Sequence, residues 1–123
     1  MLSQDTAYIS GKIKARIGEL LIARDTLNSL LYDPTTSEEA SRLLPQQDYL
    51  ESQLPNIQVI KTKFDDGTWT YIDVVVATTF LTGAVYHVGQ VKELAGKVEG
   101  SGNWLVYASI AIGIIIVYKV FIK

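Results

Sequence analysis

Asn103-Trp-Leu-Val-Tyr-Ala-Ser-Ile-Ala-Ile-Gly-Ile-Ile-Ile-Val-Tyr-Lys-Val-Phe-Ile-Lys123 contains no acid and only one charge ahead of its last residue. From Trp104 to Ile122 the run is 19 residues long, which as a helix covers a hydrocarbon core of roughly 30 Å. It reads as a transmembrane helix. Trp104 and Tyr107 near one end, with Tyr118 and Phe121 near the other, match the aromatic belts expected at the two interfaces of a bilayer. Lys119 lies close enough to the end for its ammonium to snorkel out. A cylinder that is apolar on every face is too much for the rest of so short a chain to enclose.

Working outward, the composition fits a small membrane-attached protein. The chain has 123 residues and no cysteine, so it offers neither a disulfide framework nor a thiolate for metal or nucleophilic chemistry. A net charge of −2 excludes a strongly basic nucleic-acid surface, and no specific nucleic-acid binding is expected. Lys12, Lys14, Arg16 and Arg24 are mixed with Asp5, Glu19 and Asp25 near the N-terminus, with no continuous apolar stretch, so no cleavable signal peptide is expected. With the apolar run placed last, the expected topology is a single C-terminal span, a tail anchor whose head stays on the cytosolic side.

The head reads as mainly α-helical. Ile13, Ile17, Leu20, Leu27 and Leu31 step by fours and threes if Arg24 fills the missing position, which gives a coiled-coil-like packing seam from Ser3 to Tyr32 with one polar interruption. Tyr32-Asp33-Pro34-Thr35-Thr36-Ser37 then supplies a stop and a new start, with Thr36 and Glu39 at capping-box spacing. A second helix is expected from about Ser37 through Leu54, kinked or split at Pro45, with Leu43, Leu44, Leu50 and Leu54 facing the first. The two form an αα-hairpin over 3–54 or pair with other chains through the same seam. Other protein subunits are the expected partners of this region.

Two readings fit the next stretch. Ile57 to Phe64, Asp65-Asp66-Gly67 and Thr68 to Ile72 have the β-branched and aromatic content and the Asp-Gly turn of a β-hairpin over 57–72. The rival is an extended linker through Gly67 and a helix starting near Thr68. A helix over 72–98 follows, with Leu81, Val88, Val91 and Val98 on one side. Its first half, Val74 to Tyr86, is apolar all round but short and threonine-rich for a span, so a buried or interfacial helix is expected and a second span is the alternative. Gly100-Ser-Gly-Asn103 is a hinge before the anchor. Within the anchor, Ser109 and Gly113 have the small-xxx-small spacing that brings two spans together, a candidate route to a homo-oligomer.

No catalytic group, metal site or cofactor cradle can be assembled from this sequence, so an enzyme is not expected. His87, the only histidine, and Asp73 lie about four helical turns apart. Asp65-Asp66-Gly67 lacks the alternating ligands of a calcium loop. The function classes that remain are a structural tether, a pore former of the holin type and a bacterial tail-anchored assembly factor. The order of features, a helical head, a glycine hinge and a C-terminal span bearing Lys119 and Lys123, resembles the small membrane-anchored minor capsid proteins of tailless phages with an internal membrane, such as the corticovirus group. That resemblance implies a virion protein lying between an icosahedral shell and the viral membrane, with Lys119 and Lys123 toward the genome.

Overall fold

Apolar residues return every three or four positions along the head, and the backbone of the computed structural model follows that period. It describes residues 3–98. The expected hinge at 100–103 and span at 104–122, with Trp104, Tyr107, Ser109, Gly113, Tyr118, Lys119 and Phe121, lie outside the described residues. Among the described residues there are four helices: α1 (Ser3–Leu30), α2 (Ser37–Ser52), α3 (Leu54–Asp66) and α4 (Tyr71–Ala95).

Hydrogen bonds between residues far apart in sequence fix how they run. Thr36 reaches Leu30, Gln47 reaches Leu20 and Asp65 accepts from Ser10, so α2 and α3 descend α1 in antiparallel order. Lys63 meets Asp73, Gln47 meets His87 and Glu39 meets Lys97, which makes α4 antiparallel to α2 and α3 and parallel to α1. The head is an up-down-up three-helix bundle whose middle leg is two helices in series.

Each leg of such a bundle touches two others and buries a wider arc than a simple coiled-coil seam. Ile13, Leu20 and Leu27 of the expected seam are fully buried, while Ile17 and Leu31 are half-buried beside them. Ala23 and Leu30 widen the arc. On the middle leg Leu50 is buried, and Leu43, Leu44 and Leu54 pack half-buried against the core. The apolar interior divides into two clusters. One gathers Ile13, Leu20, Leu50, Ile57, Phe64 and Phe80; the other gathers Leu27, Leu30, Ala40, Val91 and Leu94.

The expected β-hairpin over 57–72 is corrected to a helix, a turn and the start of another helix. Strand alternation would scatter Ile57, Ile60 and Phe64 over two faces, whereas a helix collects them on one, and all three are buried. Pro55 sits in the first turn of α3, where its missing N–H costs nothing. The Asp-Gly signal marks the helix end instead of a hairpin turn: Gly67 has φ 76° in the left-handed cap position. An αL glycine serves either purpose. Trp69 in the following turn lies against Phe64, ring centroids 6.4 Å apart.

Two smaller expectations also change. Pro45 lies inside α2 on its exposed side and does not divide it; the break falls at Gln53, just ahead of Pro55. Thr36 does not form a capping box with Glu39. Its backbone, at φ −121° and ψ −8°, is not extended, and its hydroxyl donates at 2.9 Å to the Leu30 carbonyl at the end of α1. Asp33 organises the turn by accepting the backbone N–H of Thr35 at 2.9 Å. The capping role anticipated at Thr36 appears at α4, where the Asp73 carboxylate accepts the Thr70 backbone N–H at 2.8 Å.

Candidate functional site

A polar layer crosses the bundle between its two apolar clusters. On α4, His87 falls between Ala84 of one cluster and Val91 of the other; on α2, Gln47 falls between Leu50 and Ala40. Both side chains are fully buried. Gln47 Nε2 donates to the Leu20 carbonyl at 2.9 Å, which leaves Gln47 Oε1 as an acceptor 2.6 Å from His87 Nε2. The tautomer follows: Nε2 carries the proton and Nδ1 is left as an acceptor, with no hydrogen-bond partner.

Arg24, the polar interruption in the α1 seam, belongs to the same level. Its guanidinium binds Glu51 and Asp48 on α2, with Nε 2.9 Å from Glu51. A fork-shaped donor between two carboxylates holds both to one position along α1. Burial pushes the His87 imidazole below its ordinary pKa; Glu51 pulls it up and Arg24 pushes it further down. A neutral, sealed imidazole is a structural hydrogen-bond donor here. His87 follows directly on the apolar run Val74 to Tyr86 in sequence, and the fold puts it inside the bundle. Asp73, in contrast, belongs to the helix start, where the Thr70 backbone N–H holds its carboxyl below the usual carboxylate range, with Lys63 at 3.5 Å adding to the shift.

Gln47 was not singled out from the sequence. Its spacing from Ala40 and Leu50 carried the signal, because seven and three residues place all three on the buried side of α2. Among the described residues no group of histidines and acids is arranged to hold a metal ion.

The surface has two characters. The first two helices and the turn between them expose Tyr8, Tyr32 and Tyr49 among charged residues such as Asp25, Glu38 and Arg42. Along α4 the outward side is different. Tyr71, Ile72, Val75, Val85 and Tyr86 are exposed there, and between Val74 and Val91 there is no Asp, Glu, Lys or Arg, while His87 is on the opposite side. Thr78, Thr79 and Thr82 share this face, each hydroxyl turned back onto a backbone carbonyl one turn earlier at 2.8 to 2.9 Å. By length and composition α4 could cross a membrane. Its inner side is committed to the bundle through Ala77, Phe80, Ala84, His87, Val91 and Leu94.

Comparison with protein families, with curated proteins and with solved structures gives no match to this chain.

Proposed function

We propose that this protein is a non-enzymatic membrane tether: residues 104–122 form the anchor, and the helical head holds a protein layer, such as a viral capsid shell, against the bilayer. The observation that carries this reading is the division of the chain into a packed three-helix head and a separate run without acids from Trp104 to Ile122. The rest is consistent with it. Gln47 and His87 are hydrogen-bonded to each other inside the core, while exposed Tyr8, Tyr32 and Tyr49 offer the amphipathic rings that protein interfaces favour. The partner layer binds through the outer sides of α1 and α2, residues 3–54, and Ser109 and Gly113 let anchors associate.

A holin-like pore is the second reading, favoured by the length and hydropathy of α4. The inner side of α4 argues for the tether, since removing it into a bilayer would strip the core of Phe80, Val91 and Leu94.

Expression of the whole chain by itself separates the two. A tether resists carbonate extraction and leaves the membrane potential intact, and I112D with I115D releases it into the soluble fraction. Rapid depolarisation at modest expression would establish the pore instead.

A further inference from the structure

The outward side of α4 needs an occupant. Exposed apolar residues scattered singly require no explanation, but Tyr71, Ile72 and Val75 near the start of α4 and Val85 with Tyr86 farther along share its outward side, joined by the uncharged Thr78, Thr79 and Thr82 into a strip without ions. Half-buried Val74, Val76, Leu81 and Val88 flank it, so the strip has apolar shoulders and meets charge only at its ends, near Lys63 and Asp73 at one and Lys92 and Glu93 at the other. Between those ends lie the residues from Val74 to Val91, about 27 Å of helix.

The hydroxyls on the strip do not oppose contact with lipid. Thr78, Thr79 and Thr82 return their protons to the carbonyls of Val74, Val75 and Thr78, as Ser41, Ser52 and Thr62 do to carbonyls of their own helices. The strip therefore presents methyl groups and satisfied oxygens, the arrangement with the lowest desolvation cost in hydrocarbon. Chain continuity supplies the second observation. Val98 ends the described chain close behind α4, and the run beginning at Trp104 follows after five residues, six steps that reach at most about 22 Å. If that run is in a bilayer, one end of α4 is held at the bilayer surface.

We infer that the head lies on its side against the bilayer, with the outward strip of α4 sunk into the interfacial region of the lipid and the charged sides of α1 and α2 turned away. This rests on the anchoring function proposed above. Tyr71 and Tyr86 mark the strip's two halves with rings suited to the headgroup boundary. Two of the chain's basic residues, Lys119 and Lys123, belong to the C-terminal run, so the head is more acidic than the chain's net −2. Its attraction is for zwitterionic lipid through apolar contact, and not for anionic lipid through charge. The consequence for a tether is a fixed standoff: the layer bound by α1 and α2 sits one bundle thickness above the membrane.

The absence of cysteine makes the test direct, because a single introduced thiol is the only labelling site. The full chain is reconstituted into phosphatidylcholine vesicles with an environment-sensitive fluorophore at T82C on the strip or at N28C on the exposed side of α1. The expected result is blue-shifted emission at T82C and severalfold stronger quenching by nitroxide lipid than at N28C, which iodide in the water quenches instead. In V85K the label at T82C becomes accessible to iodide, while the chain still resists carbonate. Equal iodide quenching at both sites overturns the inference and leaves the anchor intact. Protection of T82C from both quenchers overturns it in favour of a protein occupant, a second copy or residues 104–122. A chain that never enters the vesicles overturns the anchor and this inference together.

Discussion

Removing Gln47 tests whether the polar layer holds the bundle together. In Q47A the Nε2–H of His87 loses its only partner in a site with no solvent access, and the Leu20 carbonyl loses an additional donor. An orphaned buried donor costs about 1–3 kcal/mol. The Leu20 carbonyl is cheaper to strip, because its place within α1 leaves it the intrahelical N–H of Arg24. Truncating a fully buried side chain adds a cavity cost on the order of 1–2 kcal/mol. The total is about 2–5 kcal/mol, a large part of the stability of a small domain. Far-UV circular dichroism of the full chain in mild detergent during urea titration measures it. The double variant Q47L/H87L separates hydrogen bonding from packing: with no donor left to orphan, it should be more stable than the sum of the single losses by about 1–3 kcal/mol. If Q47A unfolds at the wild-type urea midpoint, or if Q47L and H87L add without coupling, the reasoning fails.

Acid should loosen the same layer. His87 binds its proton less readily folded than unfolded, so the unfolded state takes up more protons below the unfolded value near pH 6.5, and stability falls as pH drops through that point by up to about 1.4 kcal/mol per unit. H87Q, compared with wild type in urea titrations at pH 7.5 and 5.5, should flatten that dependence, and a slope unchanged by H87Q would refute it. Two glycines should respond with opposite signs. G67A forces a side chain into the left-handed cap of α3 and should cost about 1 kcal/mol, whereas G89A, with nothing within 4 Å of the added methyl on exposed α4, should gain up to about 1 kcal/mol. Thermal unfolding of the two variants checks both, and a stabilised G67A would exclude the αL cap.

How much of this head was legible depends on whether the signal was periodic or local. Ile13, Leu20 and Leu27 declare α1 through spacing alone, because only one helix face collects them. The stretch from Ile57 to Phe64 was ambiguous for a physical reason. Its β-branched residues suit a strand locally, and the tertiary environment that rewards Ile57, Ile60 and Phe64 on one face is supplied by α1 and α4, far away in sequence. The glycine at 67 could not break the tie, since a hairpin and a helix cap require the same left-handed backbone. The candidate site was less legible still. Arg24 is visible as an interruption, but nothing local marks Asp48 and Glu51 as its partners, because only the antiparallel packing of α2 on α1 brings them together.

The interruption and its partners also bear on why this packing is chosen over its near neighbours. Three amphipathic helices can slide by a turn at little hydrophobic cost, because Leu, Ile and Val replace one another along the seam. A polar layer removes that freedom. Sliding α4 by one turn would leave Nε2 of His87 facing Leu43, Leu44 or Leu50, a buried donor without a partner, and sliding α2 would part Gln47 from the Leu20 carbonyl and the half-buried Arg24 from Glu51. The apolar clusters supply most of the attraction; His87, Gln47 and Arg24 decide the register in which it acts. Register then decides which side of α4 is left outside. A helix turned by about 100° for each residue of error would expose Phe80 and bury Thr79. The uncharged strip on α4 therefore depends on a hydrogen bond in the interior.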